Sequence, residues 1–200
     1  DHREESMAYF KAEEYDKAIY HFEKAMVLDA HDWRLMYNLA RSLEETEAYD
    51  RAIQTYTACF DLSFDNNNRE LFLGRGRSYM KKGDTESAII DFTNVINIDK
   101  KSFEAFYLRG QCFIKQIDYY EAYHDLNRAI KLNKNHLNAY YHRAIARAQM
   151  RDTWGALADL NKVIRENPNF SQAYFNRGIV YQRMNKFVKA KTDFDKTLDL

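Results

Sequence analysis

Apolar positions recur along the chain with the spacing of a helix face, and the whole pattern then repeats. Ala18, Ala52, Ala88, Ala122, Ala156 and Ala190 stand 34, 36, 34, 34 and 34 residues apart. Self-similarity at such a period marks a repeat architecture. Four residues beyond each alanine comes a large apolar residue: Phe22, Tyr56, Phe92, Leu126, Leu160 and Phe194. Three further lie Ala25, Cys59, Val95, Ala129, Val163 and Thr197, so one helix face is apolar in most copies. Twelve residues before each alanine sits a small residue, Ser6, Ala40, Gly76, Gly110, Ala144 or Gly178, within a second helical pattern. Large side chains such as Phe72, Phe106, Tyr140 and Tyr174 precede that small residue by one turn, and Tyr9, Leu43, Tyr79, Phe113 and Tyr181 follow it. Each copy is predicted to be two antiparallel helices crossing closely at the small residue. Neither helix buries both its faces unless the next copy stacks on it.

The pattern resembles the tetratricopeptide repeat across essentially the whole chain. The clearest copy is Tyr174-Phe175-Asn176-Arg177-Gly178 with Tyr181, Phe187, Ala190 and Phe194. The resemblance implies an all-α fold, a right-handed superhelical solenoid of antiparallel helix pairs. On this register the chain reads as one array of about six repeats, 1–32 (partial), 33–68, 69–102, 103–136, 137–170 and 171–200 (partial), within a longer protein. The proline that ends repeats of this family appears only as Pro168. Ala30, Phe64, Lys100 and Lys134 hold its slot elsewhere, so Asp32, Asn68 and Ser102 are expected to cap the helices that follow. The single 36-residue interval places two extra residues in the run Asp65-Asn66-Asn67-Asn68, read as a lengthened surface loop.

Composition narrows the function classes. Thirty Lys and Arg balance thirty Asp and Glu, so no net field attracts nucleic acid or an anionic membrane. Hydrophobic residues at 46% supply a core, while six Gly and one Pro are too few for a chain of β-hairpins. No apolar run approaches the roughly 18 residues of a spanning helix, and Asp1-His2-Arg3-Glu4-Glu5 does not resemble a signal peptide. Two cysteines make no disulfide framework. A cytoplasmic setting is expected, cytoskeletal and ciliary assemblies included.

Candidate chemistry is sparse. Arg75, Arg109, Arg143 and Arg177 precede the small residue of their repeats, and Asp91, Asp125, Asp159 and Asp193 follow sixteen residues later. Where the arginine is absent, as at Leu39 and Glu5, the later slot holds Thr55 and His21, so the two sets read as structural ion pairs within each repeat. The six histidines fall at unrelated slots with no pair at i, i+4, so no metal site is expected. Cys59 and Cys112 share slots with small packing residues. No catalytic motif, cofactor or small-molecule substrate is indicated, and the chain is read as a non-enzyme.

In the resembled family the first helices of the repeats build an inner, concave surface. The resemblance therefore singles out the residues fifteen before each anchor, Tyr37, Leu73, Tyr107, Tyr141 and Phe175, together with Arg41, Arg77 and Gln111 one turn along. Such a stripe suits a peptide or helix segment of another protein, which makes the chain a protein–protein interaction scaffold. The alternative is a substrate-recruiting arm of an enzyme whose catalytic domain lies outside this segment. A carboxylate clamp, the family's mode of gripping acidic C-termini, is not expected. Of its basic and Asn slots in the first three repeats, Arg3 and Asn38 fit but Met7, Glu70 and Gly74 do not, and the last three repeats hold Tyr107, Gln111, His142, Gln172 and Asn176, with no fixed positive charge. Trp154, where other copies are polar, is expected to be exposed as a contact point, and Trp33 to fill a gap between repeats.

Overall fold

The computed structural model describes residues 1–29, 31–62 and 68–200. The described residues form twelve helices: α1 His2–Lys11, α2 Tyr15–Leu28, α3 Trp33–Glu45, α4 Tyr49–Leu62, α5 Arg69–Lys82, α6 Thr85–Ile98, α7 Phe103–Lys115, α8 Tyr119–Leu132, α9 Leu137–Gln149, α10 Thr153–Glu166, α11 Ser171–Arg183 and α12 Phe187–Asp199. None is long and apolar enough to cross a membrane. The helices pair in sequence as six hairpins, one to each expected repeat. They divide into two compact units, Asp1–Lys100 and Lys101–Leu200, with three hairpins each. In the first unit α2 packs on α3 and α4 on α5; in the second, α8 packs on α9 and α10 on α11.

Local chemistry sets the helix starts. Asp32 accepts hydrogen bonds from the Arg34 and Leu35 amides at 2.9 and 3.3 Å, Asn68 from Glu70 and Leu71 at 3.1 and 3.4 Å, and Ser102 from Ala105 at 3.4 Å. All three expected caps are in place, each worth about 1 kcal/mol. Asp84, Asp118 and Asp152 do the same for α6, α8 and α10. The second helices pass into extended backbone at Asp99 and Asn133 without a proline, and at Asn167 just before Pro168. Ala30, Phe64 and the run Asp65-Asn66-Asn67 lie outside the described residues; Asn68 is the cap of α5.

Within every hairpin the turn places one residue in the left-handed region at the same slot: Glu13, Glu47, Gly83, Ile117, Arg151 and Asn185, with φ of 59, 61, 98, 64, 65 and 58°. Only Gly83 and Asn185 are types that suit it, and for the β-branched Ile117 the conformation costs about 1–2 kcal/mol. Ile117 is also 71% exposed, so its side chain contributes little packing. Replacing Ile117 by Asn should therefore stabilise the chain by about 1 kcal/mol, a rise of about 2–4 °C in Tm for a protein of this size. A melt at or below the parent midpoint would contradict this account of the turn.

The core follows the repeat register. Ala18, Ala52, Ala88, Ala122 and Ala156 have no exposed surface, and Ala190 is also buried. The large residue one turn later covers the small residue of the partner helix. A Cβ built on Gly76 would lie 2.8 Å from Phe92 Cε1, and one on Gly110 2.9 Å from Leu126 Cγ. Arginine and aspartate pair in all four repeats that carry both. The Nε and Nη2 of Arg75 reach Asp91 at 2.9 Å each, and the three other pairs are likewise two-pronged at 2.7–2.9 Å. Asp91, Asp125, Asp159 and Asp193 are all buried.

Candidate functional site

In the second unit the first helices are α7, α9 and α11, and the equivalent slot on each carries Tyr107, Tyr141 and Phe175. Neighbouring rings join two of these into a path. Phe103 stacks on Tyr107 with centroids 5.9 Å apart and planes 7° from parallel. The His136 ring lies 4.7 Å from both. His142 bridges Tyr107 and Tyr141 at 5.7 and 5.1 Å, and Phe170 closes on Tyr141 at 5.1 Å. Asn176 of α11 donates to the Tyr141 hydroxyl at 2.9 Å. Beyond it Phe175, 48% exposed, rests on Phe194 with centroids 5.8 Å apart. Ile145, Ile179, Ala144 and Val180 line a small cleft between α9 and α11.

Arg183 also lines that cleft and donates to the Ala148 carbonyl oxygen at 3.1 Å. Burial pushes the Tyr107 phenol up to about 12, with a hydrogen bond from Gln111 pulling the other way. Burial also lowers both His136 and His142 below the ordinary histidine range, so the two rings are neutral at neutral pH. What α7, α9 and α11 present is half-buried aromatic surface with a few orienting hydroxyl and amide groups. That combination seats apolar side chains and fixes a backbone by hydrogen bonds.

The sequence singles out Tyr107, Gln111, Tyr141 and Phe175 for this surface but not Phe103, His136 or Phe170, and His142 only as a clamp slot. A signal for two of them was present. The N-cap slot that reads Asp32, Asn68 and Ser102 in earlier repeats becomes His136 and Phe170, exchanging a small polar cap for a ring. The His136 ring still caps α9 through Nδ1, which accepts from the Ala139 amide at 3.2 Å, whereas Phe170 gives α11 no side-chain cap.

In the first unit the same slots are occupied differently. Leu73 is only 6% exposed and belongs to the core, because the face of α5 that carries it is covered by its neighbours. Arg77 binds Glu44 of α3 at 2.8 and 3.3 Å, and Glu44 also accepts from the Tyr56 hydroxyl at 3.1 Å. Arg41 lies over Phe10 and Tyr37, 4.8 and 5.9 Å from the ring centroids, and Tyr37 meets Tyr56 edge-on at 6.0 Å. Arg77 is therefore met by a carboxylate and Arg41 by aromatic faces. Trp154 is exposed as expected, at 70%, with Lys186 5.1 Å above its ring. Both thiols are buried, which raises Cys59 to about 12 and Cys112 to about 11 and leaves them poor nucleophiles.

Comparison with known proteins places these features. Residues 81–163 match the family described as anaphase-promoting complex, cyclosome, subunit 3, and residues 9–59 and 160–192 match the tetratricopeptide repeat. Among solved structures, MamA is 28% identical with a TM-score of 0.74, over 80% of this chain and 93% of its own. YrrB, described as a TPR protein with an unusual peptide-binding site, is 25% identical with a TM-score of 0.75, over 89% and 91%. A tetratricopeptide repeat protein from Parabacteroides merdae is 22% identical with a TM-score of 0.84, over 98% and 77%. No curated protein sequence matches the chain. Six helix hairpins with buried small residues at their crossings, and repeat matches at both ends of the sequence, make the chain a tetratricopeptide repeat protein, a scaffold for protein interaction.

Proposed function

We propose that the second unit binds a peptide or helix segment of another protein along α7, α9 and α11, without chemistry of its own. The observation that carries this reading is the ring path through Phe103, Tyr107, His136, His142, Tyr141 and Phe170, with Phe175 beyond it on α11. Half-buried aromatic rings contribute large contact area at small cost in side-chain entropy, and such anchors dominate binding energies. The Tyr107 and Tyr141 hydroxyls and the Asn176 and Gln111 amides supply direction. With burial disfavouring the charged form of both histidines, the complement is a segment with spaced aromatic or aliphatic anchors, not an acidic tail.

YrrB, similar over most of its length, is described as having a peptide-binding site, which supports the class of ligand and not its identity. The setting proposed is a cytoplasmic assembly, and the reading makes the chain a non-catalytic member of it. Selection from a random peptide library displayed on phage tests this. Enriched peptides should carry two apolar anchors and keep their binding when the C-terminal carboxylate is amidated. Enrichment of acidic C-termini, with binding lost on amidation, would replace the reading with a carboxylate clamp.

A further inference from the structure

The first hairpin brings together three potential metal ligands that the repeat pattern does not call for. The Nδ1 atoms of His2 and His21 are 3.0 Å apart, His21 Nδ1 is 2.8 Å from Glu5 Oε2, and His2 Nδ1 is 3.4 Å from the same oxygen. Three lone-pair atoms thus form a small triangle. An unprotonated imidazole nitrogen offers one lone pair and a carboxylate oxygen offers two, so all three atoms can turn a lone pair to a single cation. Four ligands at zinc-like bond lengths of about 2.0–2.2 Å stand about 3.3–3.6 Å from each other, so the triangle needs only a few tenths of an ångström of expansion.

The repeats themselves make the cluster unusual. Glu5 and His21 occupy the slots that hold arginine and aspartate in the four later ion-paired repeats, and His2 occupies the slot of Phe72, Phe106, Tyr140 and Tyr174. An ion pair between the two helices needs two members, and the first hairpin supplies three that converge. The rings are also held in place: Tyr9 stacks on His21 at 5.2 Å, and Tyr20 meets the His21 and His2 rings edge-on at 5.2 and 6.5 Å. Approach is open, since the side chains of His2 and Glu5 are 43% and 48% exposed while that of His21 is 17% exposed.

We propose that His2, Glu5 and His21 bind one borderline divalent transition-metal ion, of which Zn²⁺ is the representative, with water completing the coordination. Two imidazoles and one carboxylate on a partly exposed surface suit this class over Mg²⁺ or Ca²⁺, which take mostly oxygen ligands. The ion would pin α1 to α2, a link the later repeats obtain from arginine and aspartate. The sequence spacing hides the site because its ligands lie on two helices, at i, i+3 and i+19.

The test is calorimetric titration of the whole 200-residue chain with ZnCl₂, repeated with Co²⁺ to read the visible d–d bands of a nitrogen-ligated ion. One saturable equivalent is expected. Its affinity should fall in both His2→Asn and Glu5→Gln by at least the roughly tenfold that loss of even an outer partner of a metal ligand costs. His124→Asn, on α8, should leave it unchanged. Because His2 and Glu5 are partly exposed, circular dichroism should show both variants folded. Absence of saturable uptake at sub-millimolar metal would overturn the assignment, as would uptake that survives His2→Asn or Co²⁺ bands that do not change with that substitution.

Discussion

Asp91→Ala should destabilise the chain by about 3–5 kcal/mol, the cost of leaving a buried charge without its partner. Asp91 is 1% exposed and accepts two hydrogen bonds from Arg75, whose remaining Nη1 reaches Thr57 at 3.2 Å and whose plane lies 4.7 Å from the centroid of Phe60. Once the carboxylate is gone, the guanidinium stays packed among aromatic rings with 19% of its side-chain surface exposed and loses two charge-assisted hydrogen bonds. The double variant Arg75→Met, Asp91→Leu should lose much less than either single variant, because it removes the uncompensated charge and keeps apolar volume. The measurement is the midpoint of urea unfolding at constant m value. Single and double variants losing the same amount would mean that the pair is solvated and incidental.

The second large effect concerns the close crossing of α5 on α6. Phe92 has no exposed surface and its ring covers Gly76, so Phe92→Ala should cost about 3–5 kcal/mol through lost burial and the cavity left behind. The complementary change overpacks. The new Cβ of Gly76→Ala would meet Phe92 Cε1 at 2.8 Å and Asp91 Cβ at 3.1 Å, so it should cost about 1–3 kcal/mol although alanine is the better helix former. Combining Gly76→Ala with Phe92→Leu should cost less than the sum of its parts, since the smaller side chain makes room. Strict additivity in the same unfolding measurement would show that the two positions do not touch.

Both effects were legible in the sequence because the repeat supplies its own controls. Arginine and aspartate occur together at a separation of sixteen residues, and a small residue followed sixteen later by a large one recurs at every crossing; one geometry imposed on six copies leaves such regularities. The caps at Asp32, Asn68 and Ser102 were legible for a simpler reason, since capping is local chemistry between residues two or three apart. The groove was only half legible. Slot position says which helix a residue lies on but not what reaches it from the preceding turn or helix, so it reports neither the Glu44 carboxylate beside Arg77 nor the burial of Leu73. His136 and Phe170 join the ring path from the turns before α9 and α11, where a change of residue type at a cap slot was the only hint. The convergence of His2, Glu5 and His21 depends on how two helices face each other, which spacing within one helix does not report.

The most direct test of the central claim is titration of the best library-selected peptide onto the parent chain and onto the double variant Tyr107→Ala, Tyr141→Ala, followed by calorimetry, with circular dichroism as the control for folding. If the ring path on α7 and α9 is the binding surface, the variant should remain helical and lose about 2 kcal/mol or more of binding energy in all, so that its affinity falls at least about thirtyfold. Binding of equal strength to both proteins would contradict the account and place the peptide elsewhere on the molecule.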